Sequence, residues 1–248
     1  EIIRRKTTNI GNNDISRKLY IGDRYRPNNT WEFIGAISAD YETANDIGGL
    51  AEVIYTPNDY WTFRANYEHN TFSVPLRSRA IGIDADEYGL STTYRASEIF
   101  NTSIGLTSRD FEDGNQNFNY FWRTDTALHT RANWKWRLAT DFNASTFSDQ
   151  SVPYFSPDEI YSVYLIPYVE HIWYQRYEKF MKDRFYLGVG QQYQNGFGSD
   201  NVGYIQYEQE YQFSDTKNFL WGSRYSLNHY DGSDVNKLEF FTVLQFKF

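Results

Sequence analysis

Residues 201–213 read NVGYIQYEQEYQF, and apolar and polar side chains alternate along them. The apolar set comprises Ile205, Tyr207, Tyr211 and Phe213. The polar set between them comprises Gln206, Glu208, Glu210 and Gln212. Because successive side chains of a β-strand point to opposite faces, this stretch predicts a strand with one apolar and one polar face.

The same alternation recurs along the chain. It is clear in residues 60–68, 133–143 and 235–248, where aromatic and aliphatic side chains take most of the alternate positions. Clusters of Gly, Pro, Asn and Asp mark the breaks between such segments. They give fourteen candidate strands, namely 1–9, 15–26, 31–41, 46–56, 60–69, 83–96, 100–111, 116–129, 133–147, 160–176, 180–193, 202–213, 218–228 and 235–248.

The lengths of these segments and of their connections favour a membrane barrel. Many segments reach the roughly 9–11 residues that a tilted strand needs to cross a bilayer. Short connections recur at every second junction, at 27–29, 57–59, 97–99, 130–132, 177–179 and 214–217. The intervening connections are mostly longer, at 70–82, 148–159, 194–201 and 229–234. We therefore predict an all-β, antiparallel outer-membrane β-barrel rather than a soluble β-sandwich, whose strands also alternate.

Composition excludes several other classes of protein. The 248 residues include 24 Lys and Arg and 32 Asp and Glu, a net charge of −8, without the basic clusters that nucleic acid requires. The absence of Cys excludes disulfides and thiolate metal sites. Aromatic residues make up 19% of the chain, which is not typical of a disordered protein.

The sequence gives little support for an enzyme. Its four histidines are His69, His129, His171 and His229. No two of them stand at a metal-binding spacing, and there is no Gly-x-Ser-x-Gly motif. We therefore predict no catalytic residue, no metal and no cofactor.

Several motifs carry a resemblance to a known family. They are SVPLR at 73–77, DFEDGN at 110–115, VPYFSP at 152–157, EHIWYQRY at 170–177, LGVG at 187–190, GFG at 196–198 and YDG at 230–232. In this order, from about residue 50 to the end, they resemble the C-terminal barrel of the bacterial poly-β-1,6-N-acetyl-D-glucosamine (PNAG) export porins of the PgaA type.

The resemblance implies a barrel of about sixteen strands, two more than the alternation shows. It also implies a preceding periplasmic tetratricopeptide-repeat domain. The 248 residues show no helical repeat of about 34 residues, so we predict a single barrel domain over residues 1–248.

The function implied by the resemblance is export of the biofilm polysaccharide PNAG, partly de-N-acetylated and therefore cationic, across the outer membrane of a Gram-negative bacterium. The implied partners are this polysaccharide, outer-membrane lipid, the barrel assembly machinery and a periplasmic deacetylase. The porin is expected to be a monomer that binds no nucleic acid.

The polar face of the strands is expected to line the lumen. Its eleven acidic candidates are Glu32, Asp40, Glu52, Glu68, Glu87, Asp125, Asp141, Glu170, Glu208, Glu210 and Glu239, against nine basic ones. Glu208 and Glu210 are adjacent on this face, and their own strand has no base there, so we expect an acid-lined lumen in which this pair attracts a cationic polymer. The alternative is that inward acids and bases pair across neighbouring strands as a structural ladder.

Further residues are assigned from these patterns. As substrate-path candidates we add Glu52, Glu68, Asp141 and Glu170, with Tyr186 and Tyr204 as platforms for the apolar face of a pyranose. The gate candidates in long loops are Arg77, Tyr154 and Phe155, although a loop folded in as a structural plug is the alternative. Phe246 and Phe248 form a terminal aromatic pattern that resembles the assembly signal of bacterial outer-membrane barrels.

Two other functions stay open at this point. One is export of a neutral or anionic polysaccharide such as cellulose or alginate. An anionic polymer favours a basic lumen, which the net charge of −8 disfavours. The other is a barrel that acts as a membrane enzyme or an adhesin.

Overall fold

The computed structural model describes residues 2–8, 15–40, 47–71, 73–75, 77–78, 81–230 and 232–246. These residues form fourteen β-strands. In chain order, β1 to β14 are Ile2–Thr8, Ile15–Tyr25, Trp31–Asp40, Ile47–Tyr55, Trp61–His69, Ala85–Arg95, Phe100–Phe111, Gln116–Thr130, Trp134–Phe147, Glu159–Arg176, Lys179–Gln194, Gly198–Ser214, Lys217–Tyr230 and Ser233–Phe246. Each overlaps a strand predicted from the alternation. The sixteen strands implied by the resemblance are not found within the described residues.

All fourteen strands belong to one antiparallel sheet in which each strand pairs with the next one along the chain. Over the described residues the hydrogen-bonded ladder ends at β1 on one side and at β14 on the other. The Cα atoms of these two strands come within 8 Å of each other. No helix in the described part of the chain is both long enough and apolar enough to span a membrane.

The two faces of the sheet differ as the alternation predicts. On β11 and β12 the apolar side chains of Phe185, Leu187 and Ile205 are 46%, 42% and 48% exposed. On the opposite face, the side chains of Arg184 and Glu208 are only 21% and 14% exposed. Charged groups are covered while large apolar groups are not, which is the arrangement of a barrel with a polar interior and an apolar exterior.

Aromatic rings gather next to the short turns. Trp31 packs on Tyr55 with ring centroids 4.5 Å apart, and Trp61 packs on Tyr94 at 4.7 Å. All four residues lie at strand ends beside these turns. Such rings form the aromatic girdle that membrane barrels place at the boundary between lipid and water.

Asparagine side chains build two of the short turns. Asn28 Oδ1 accepts hydrogen bonds from the backbone N–H groups of Thr30 and Trp31, both at 2.9 Å. Asn58 Oδ1 makes the equivalent pair of bonds at 3.0 Å. Asn stabilises turns in this way because its side chain imitates the backbone of a turn.

The alternation of short and long connections is only partly correct. The short connections lie at residues 26–30, 56–60, 96–99, 131–133, 177–178 and 215–216. On the opposite side, the predicted long loops at 194–201 and 229–234 are in fact the tight connections 195–197 and 231–232. Gly196 and Gly232 have φ angles of 84° and 74°, which permit a tight turn, so the flanking strands extend further than predicted. Leaving aside the connections 9–14 and 41–46, which lie outside the described residues, the long loops are 70–84 and 148–158.

Of the two residues of the predicted assembly signal, the structure describes only Phe246. The backbone of Phe246 ends β14 and pairs with Lys217. Phe248 lies outside the described residues. The assembly role of both residues stays a prediction.

Candidate substrate path along the inward face

A dense network of ion pairs lies on the inward face of β10, β11 and β12. We call it the Arg184 lattice, and it consists of Glu170, Lys182, Arg184, Glu208 and Glu210. Register places Arg184 directly between Glu170 and Glu208. The Arg184 guanidinium donates to Glu170 at 3.0 Å, to Glu208 at 3.0 Å and to Glu210 at 2.6 Å. Lys182 Nζ lies 3.7 Å from Glu170 and 3.3 Å from Glu210, and the neighbouring Lys135 Nζ lies 3.5 Å from Glu170, so the three carboxylates share three cations.

The interpretation of Glu208 and Glu210 as an acid pair open to a passing cation requires correction. Arg184 already occupies the position between the two carboxylates. Gln206 Nε2 also donates to Glu208 at 2.6 Å, and Asn218 Nδ2 donates to Glu210 at 2.8 Å. The polar face of β12 itself has no base, but β11 supplies one across the ladder. The structure therefore favours the alternative in which inward acids and bases pair between strands.

The other inward acids are paired as well. The ion pairs join Arg24 and Arg26 to Glu32, Arg64 to Glu52, Arg109 to Glu87, Arg123 to Asp141, Arg137 to Asp125, and Lys237 to Glu239. Glu68 accepts a hydrogen bond from the Tyr20 hydroxyl at 2.5 Å. The side chain of Asp40 lies outside the described residues. Each remaining inward acid is thus bonded to a basic or hydroxyl group.

Three bases of this face were missed by the alternation. They are Arg24, Arg26 and Lys182, which bond to inward acids although they were not among the nine basic candidates. Adding them removes the small predicted excess of acids. The prediction of an acid-lined lumen is therefore not supported by the pairing that the structure describes.

Four tyrosines form a layer next to the Arg184 lattice, on the side of the long loops. Tyr168 and Tyr186 stack with ring centroids 4.8 Å apart. Tyr164 and Tyr204 lie 5.9 Å apart. The Tyr186 hydroxyl donates to Glu208 at 3.3 Å, which ties the layer to the lattice. Tyr186 and Tyr204, the two predicted platforms, are thus brought close to the acids predicted for the path.

The loop residue Tyr154 is built into a small core at the long-loop end. We call this core the loop cluster, and it consists of Val74, Phe111, Asn115 and Tyr154. Tyr154 is 5% exposed, and its ring stacks on Phe111 at 5.2 Å. Its hydroxyl donates to Asp113 at 3.0 Å. These contacts favour a structural role for Tyr154 over that of a moving gate.

Asn115 is the polar centre of the loop cluster. Its Nδ2 donates to the carbonyl of Asp149 at 3.0 Å and to the hydroxyl oxygens of Tyr154 at 3.2 Å and Ser156 at 3.0 Å. Its Oδ1 accepts from the Ser148 hydroxyl at 3.0 Å and from the Asp149 N–H at 2.9 Å. One side chain therefore fixes the connection 148–158 to the turn 112–115.

Two ionisable groups of these loops have shifted pKa values. Burial raises the pKa of Tyr154 to about 12. Hydrogen bonds from the Ser151 hydroxyl and N–H lower the pKa of the exposed Asp149. Of the other gate candidates, Arg77 is exposed and Phe155 is half-buried, and their gating role stays a prediction. Within the described residues no group of His, Asp and Glu is arranged to hold a metal ion.

Comparisons with known proteins agree with this architecture. The family model described as PgaA membrane beta barrel domain matches residues 9–248. The chain belongs to this family. This PgaA-type barrel is 23% identical over 240 residues to the protein named poly-beta-1,6-N-acetyl-D-glucosamine export protein of Escherichia coli K12. The match covers 94% of the chain but only 29% of that protein, so the chain spans less than a third of its relative.

Two further relatives support the same assignment. The protein of the same name from Escherichia coli O157:H7 matches with the same identity and coverage. A solved structure described as a bacterial polysaccharide outer membrane secretin has a TM-score of 0.84 at 17% identity, covering 100% of this chain and 98% of that one. At this identity the likeness shows the fold. Together with the family match, it places the PgaA-type barrel in the outer membrane.

Proposed function

We propose that this barrel carries PNAG, partly de-N-acetylated, across the outer membrane through the polar interior described above. The observation that carries the proposal is the family match over residues 9–248, together with the paired charges on the inward face of neighbouring strands. In this proposal the barrel supplies the passage through which the polymer crosses the membrane. Its proposed partners are outer-membrane lipid, the barrel assembly machinery and a periplasmic deacetylase, and it acts as a monomer.

Paired charges suit the passage of a long polymer. An exporter must bind each sugar unit well enough for it to enter and weakly enough for it to leave, at many successive positions. In the Arg184 lattice the charges of Glu208 and Glu210 are compensated locally by Arg184 and Lys182. Such groups offer hydrogen bonds to hydroxyl and ammonium groups without a strong net field. Sliding past them is therefore favoured over tight capture.

Two alternative functions are less well supported. Export of an anionic polymer would require a basic lumen, whereas most inward bases of the described residues are bonded to inward acids. A membrane enzyme or an adhesin is disfavoured by the family match, which describes a membrane barrel domain of the PgaA type.

Single-channel recording in planar lipid bilayers tests the proposal. Partly de-N-acetylated β-1,6-glucosamine pentamers should block the current reversibly, because they fit the polar interior. Mannuronate pentamers, which model alginate, and cellopentaose are the matched controls and should block less. A conducting channel that no β-1,6-glucosamine pentamer blocks, or that mannuronate pentamers block more strongly, contradicts the proposal.

A further inference from the structure

The Tyr204 ring is held flat on the inward face of the sheet. On β11, which pairs with β12, Gly188 lies beneath the ring, and a Cβ atom at this position would lie 2.2 Å from Tyr204 Cε1. On the other side, the guanidinium carbon of Arg224 lies 3.7 Å from the ring centroid. Only glycine at position 188 leaves room for this stack. Backbone and ring therefore fix the position of the Arg224 guanidinium.

Arg224 differs from the other half-buried inward arginines. It forms no ion pair with any residue in the described part of the chain, and its Nε–H is buried without a hydrogen-bond partner. Neither of its register partners bonds to it: the Gln206 amide group bonds through Nε2 to Glu208, and the Glu239 carboxylate is held by Lys237 at 2.6 Å. A buried donor without a partner costs about 1–3 kcal/mol. A stable fold that keeps such a group is a reason to look for a ligand.

Asp141 supplies the complementary group. Its Oδ2 accepts a hydrogen bond from Arg123 Nη1 at 3.3 Å, while its Oδ1 is buried without a partner. Asp141 lies opposite Tyr164 in the β9–β10 ladder, the Tyr164 ring lies 5.9 Å from the Tyr204 ring, and Arg224 stacks on Tyr204. One unpaired donor and one unpaired acceptor therefore belong to a single cluster of charges around the Tyr204 ring.

We propose that Asp141, Tyr204 and Arg224 form a subsite for the acetamido group of an N-acetylated pyranose. This proposal rests on the proposed function and deepens it. An acetamido group carries one carbonyl acceptor, which suits Arg224 Nε–H, and one N–H donor, which suits Asp141 Oδ1. The bound group removes the cost of both unpaired atoms at once.

Other sugar substituents match the subsite less well. An ammonium group has donors only: it can bond to Asp141 Oδ1, but it leaves Arg224 Nε–H unpaired and is repelled by the Arg224 guanidinium. A carboxylate is repelled by Asp141 in the same way. A lone hydroxyl must donate and accept through a single atom. The subsite therefore distinguishes acetylated from de-N-acetylated units within the same polymer.

Single-channel recording with three pentamers tests this assignment. The probes are β-1,6-linked N-acetylglucosamine, β-1,6-linked glucosamine and β-1,6-linked glucose, which carry acetamido, ammonium and hydroxyl groups respectively. In the wild-type channel the acetylated pentamer should have the longest residence time. Arg224→Lys keeps the positive charge but loses the Nε–H donor. It should shorten that residence time on the order of tenfold, as expected for one hydrogen bond to a charged group.

A control ligand and a control variant separate the loss of the Nε–H donor from a general effect on the channel. In the same variant the glucosamine pentamer should change less than about twofold, since it does not use the donor. Arg95→Lys makes the same exchange on β6, away from the subsite, and should leave all three residence times unchanged. Arg224→Met, which also removes the donor, serves if the lysine variant does not fold.

The possible failures can be told apart. If Arg224→Lys or Arg224→Met leaves the residence time of the acetylated pentamer unchanged, or shortens that of all three pentamers equally, the subsite is wrong while the channel function stands. If neither β-1,6-linked amino-sugar pentamer blocks a conducting wild-type channel, the proposed function fails and the subsite fails with it.

Discussion

Arg184 and Arg224 stand on the same inward face, two strands apart, and differ in what surrounds them. Arg184 donates to the carboxylates of Glu170, Glu208 and Glu210. Arg224 rests on the Tyr204 ring and forms no ion pair with a described residue. The same type of side chain therefore has carboxylate partners in one place and none among the described residues in the other.

Register explains the difference. β11 lies between two strands that place Glu170 and Glu208 opposite Arg184. β13 lies between Gln206 and Glu239 at the position of Arg224, and Lys237 already holds Glu239. Charged side chains that are paired across strands hold the strands together, whereas an unpaired one remains able to bind a ligand. The comparison predicts that the same substitution lowers stability strongly at Arg184 and little at Arg224.

The largest effect is expected at Arg184. Arg184→Met keeps the length of the side chain but leaves Glu170, Glu208 and Glu210 with too few cations. Removal of one partner from a buried ion-pair network costs about 3–5 kcal/mol, because the remaining charges stay desolvated. Urea unfolding of the barrel in lipid vesicles, followed by Trp fluorescence, should show a free energy of unfolding lowered by about this amount.

A compensated variant is the control for Arg184. Adding Glu208→Gln and Glu210→Gln to Arg184→Met removes the uncompensated charges and should restore most of the lost stability. Unfolding of Arg184→Met at the urea concentration of the wild type would show that the lattice does not hold the strands.

A substitution at Asn115 tests whether a fully hydrogen-bonded polar side chain also stabilises the structure outside the barrel wall. Asn115→Ala removes the side-chain bonds to Asp149, Tyr154 and Ser156, which should cost about 1–3 kcal/mol of local stability. Limited proteolysis should then cleave the connection 148–158 faster, while urea unfolding of the barrel stays unchanged. Asn101→Ala, on β7, is a control that should not affect this loop. A lowered unfolding free energy of the whole barrel in Asn115→Ala would show that the loop cluster and the strands are one cooperative unit.

The sequence predicts the strands well because their signal is local. Each strand shows its own alternation, and Asn28 and Asn58 mark turns through their own side chains. The connections 195–197 and 231–232 were predicted too long, because a glycine with positive φ marks a tight turn as readily as a loop. Local residue type does not distinguish these two outcomes.

The site is less predictable because it depends on the register between strands. The alternation places Glu208 and Glu210 on the inward face correctly, but nothing in β12 indicates that Arg184 of β11 lies opposite. The unpaired state of Arg224 depends on the register that places Glu239 opposite it, and on Glu239 bonding to Lys237 of its own strand instead. Which residues lie opposite one another is set by the pairing of strands, and a single strand does not encode it.

A small effect on stability is expected at Arg224. Arg224→Met removes a cation–π contact with Tyr204 and also removes a buried donor without a partner. The two contributions oppose each other, so the free energy of unfolding should change by less than about 1 kcal/mol. The same urea titration used for Arg184→Met makes the two variants directly comparable. A loss as large as that of Arg184→Met would show that Arg224 also holds strands together, and the contrast between the two arginines would disappear.

The most local effect is a pH dependence confined to the loop cluster. Burial raises the pKa of Tyr154 from 10.0 to about 12. Because the folded pKa is the higher one, the contribution of Tyr154 to stability is complete below pH 10 and is lost as the pH rises toward 12. At pH 10.5 the loss should be about 1 kcal/mol. An alkaline protease should therefore cleave the connection 148–158 of the wild type progressively faster above pH 10.

Tyr154→Phe has no ionisable group at this position, so its cleavage relative to wild type at each pH should lack this increase. The same increase in the phenylalanine variant would assign the pH dependence to another group. Its absence would assign the pH dependence to Tyr154 and show that the hydrogen-bonded loop cluster maintains the structure of this connection.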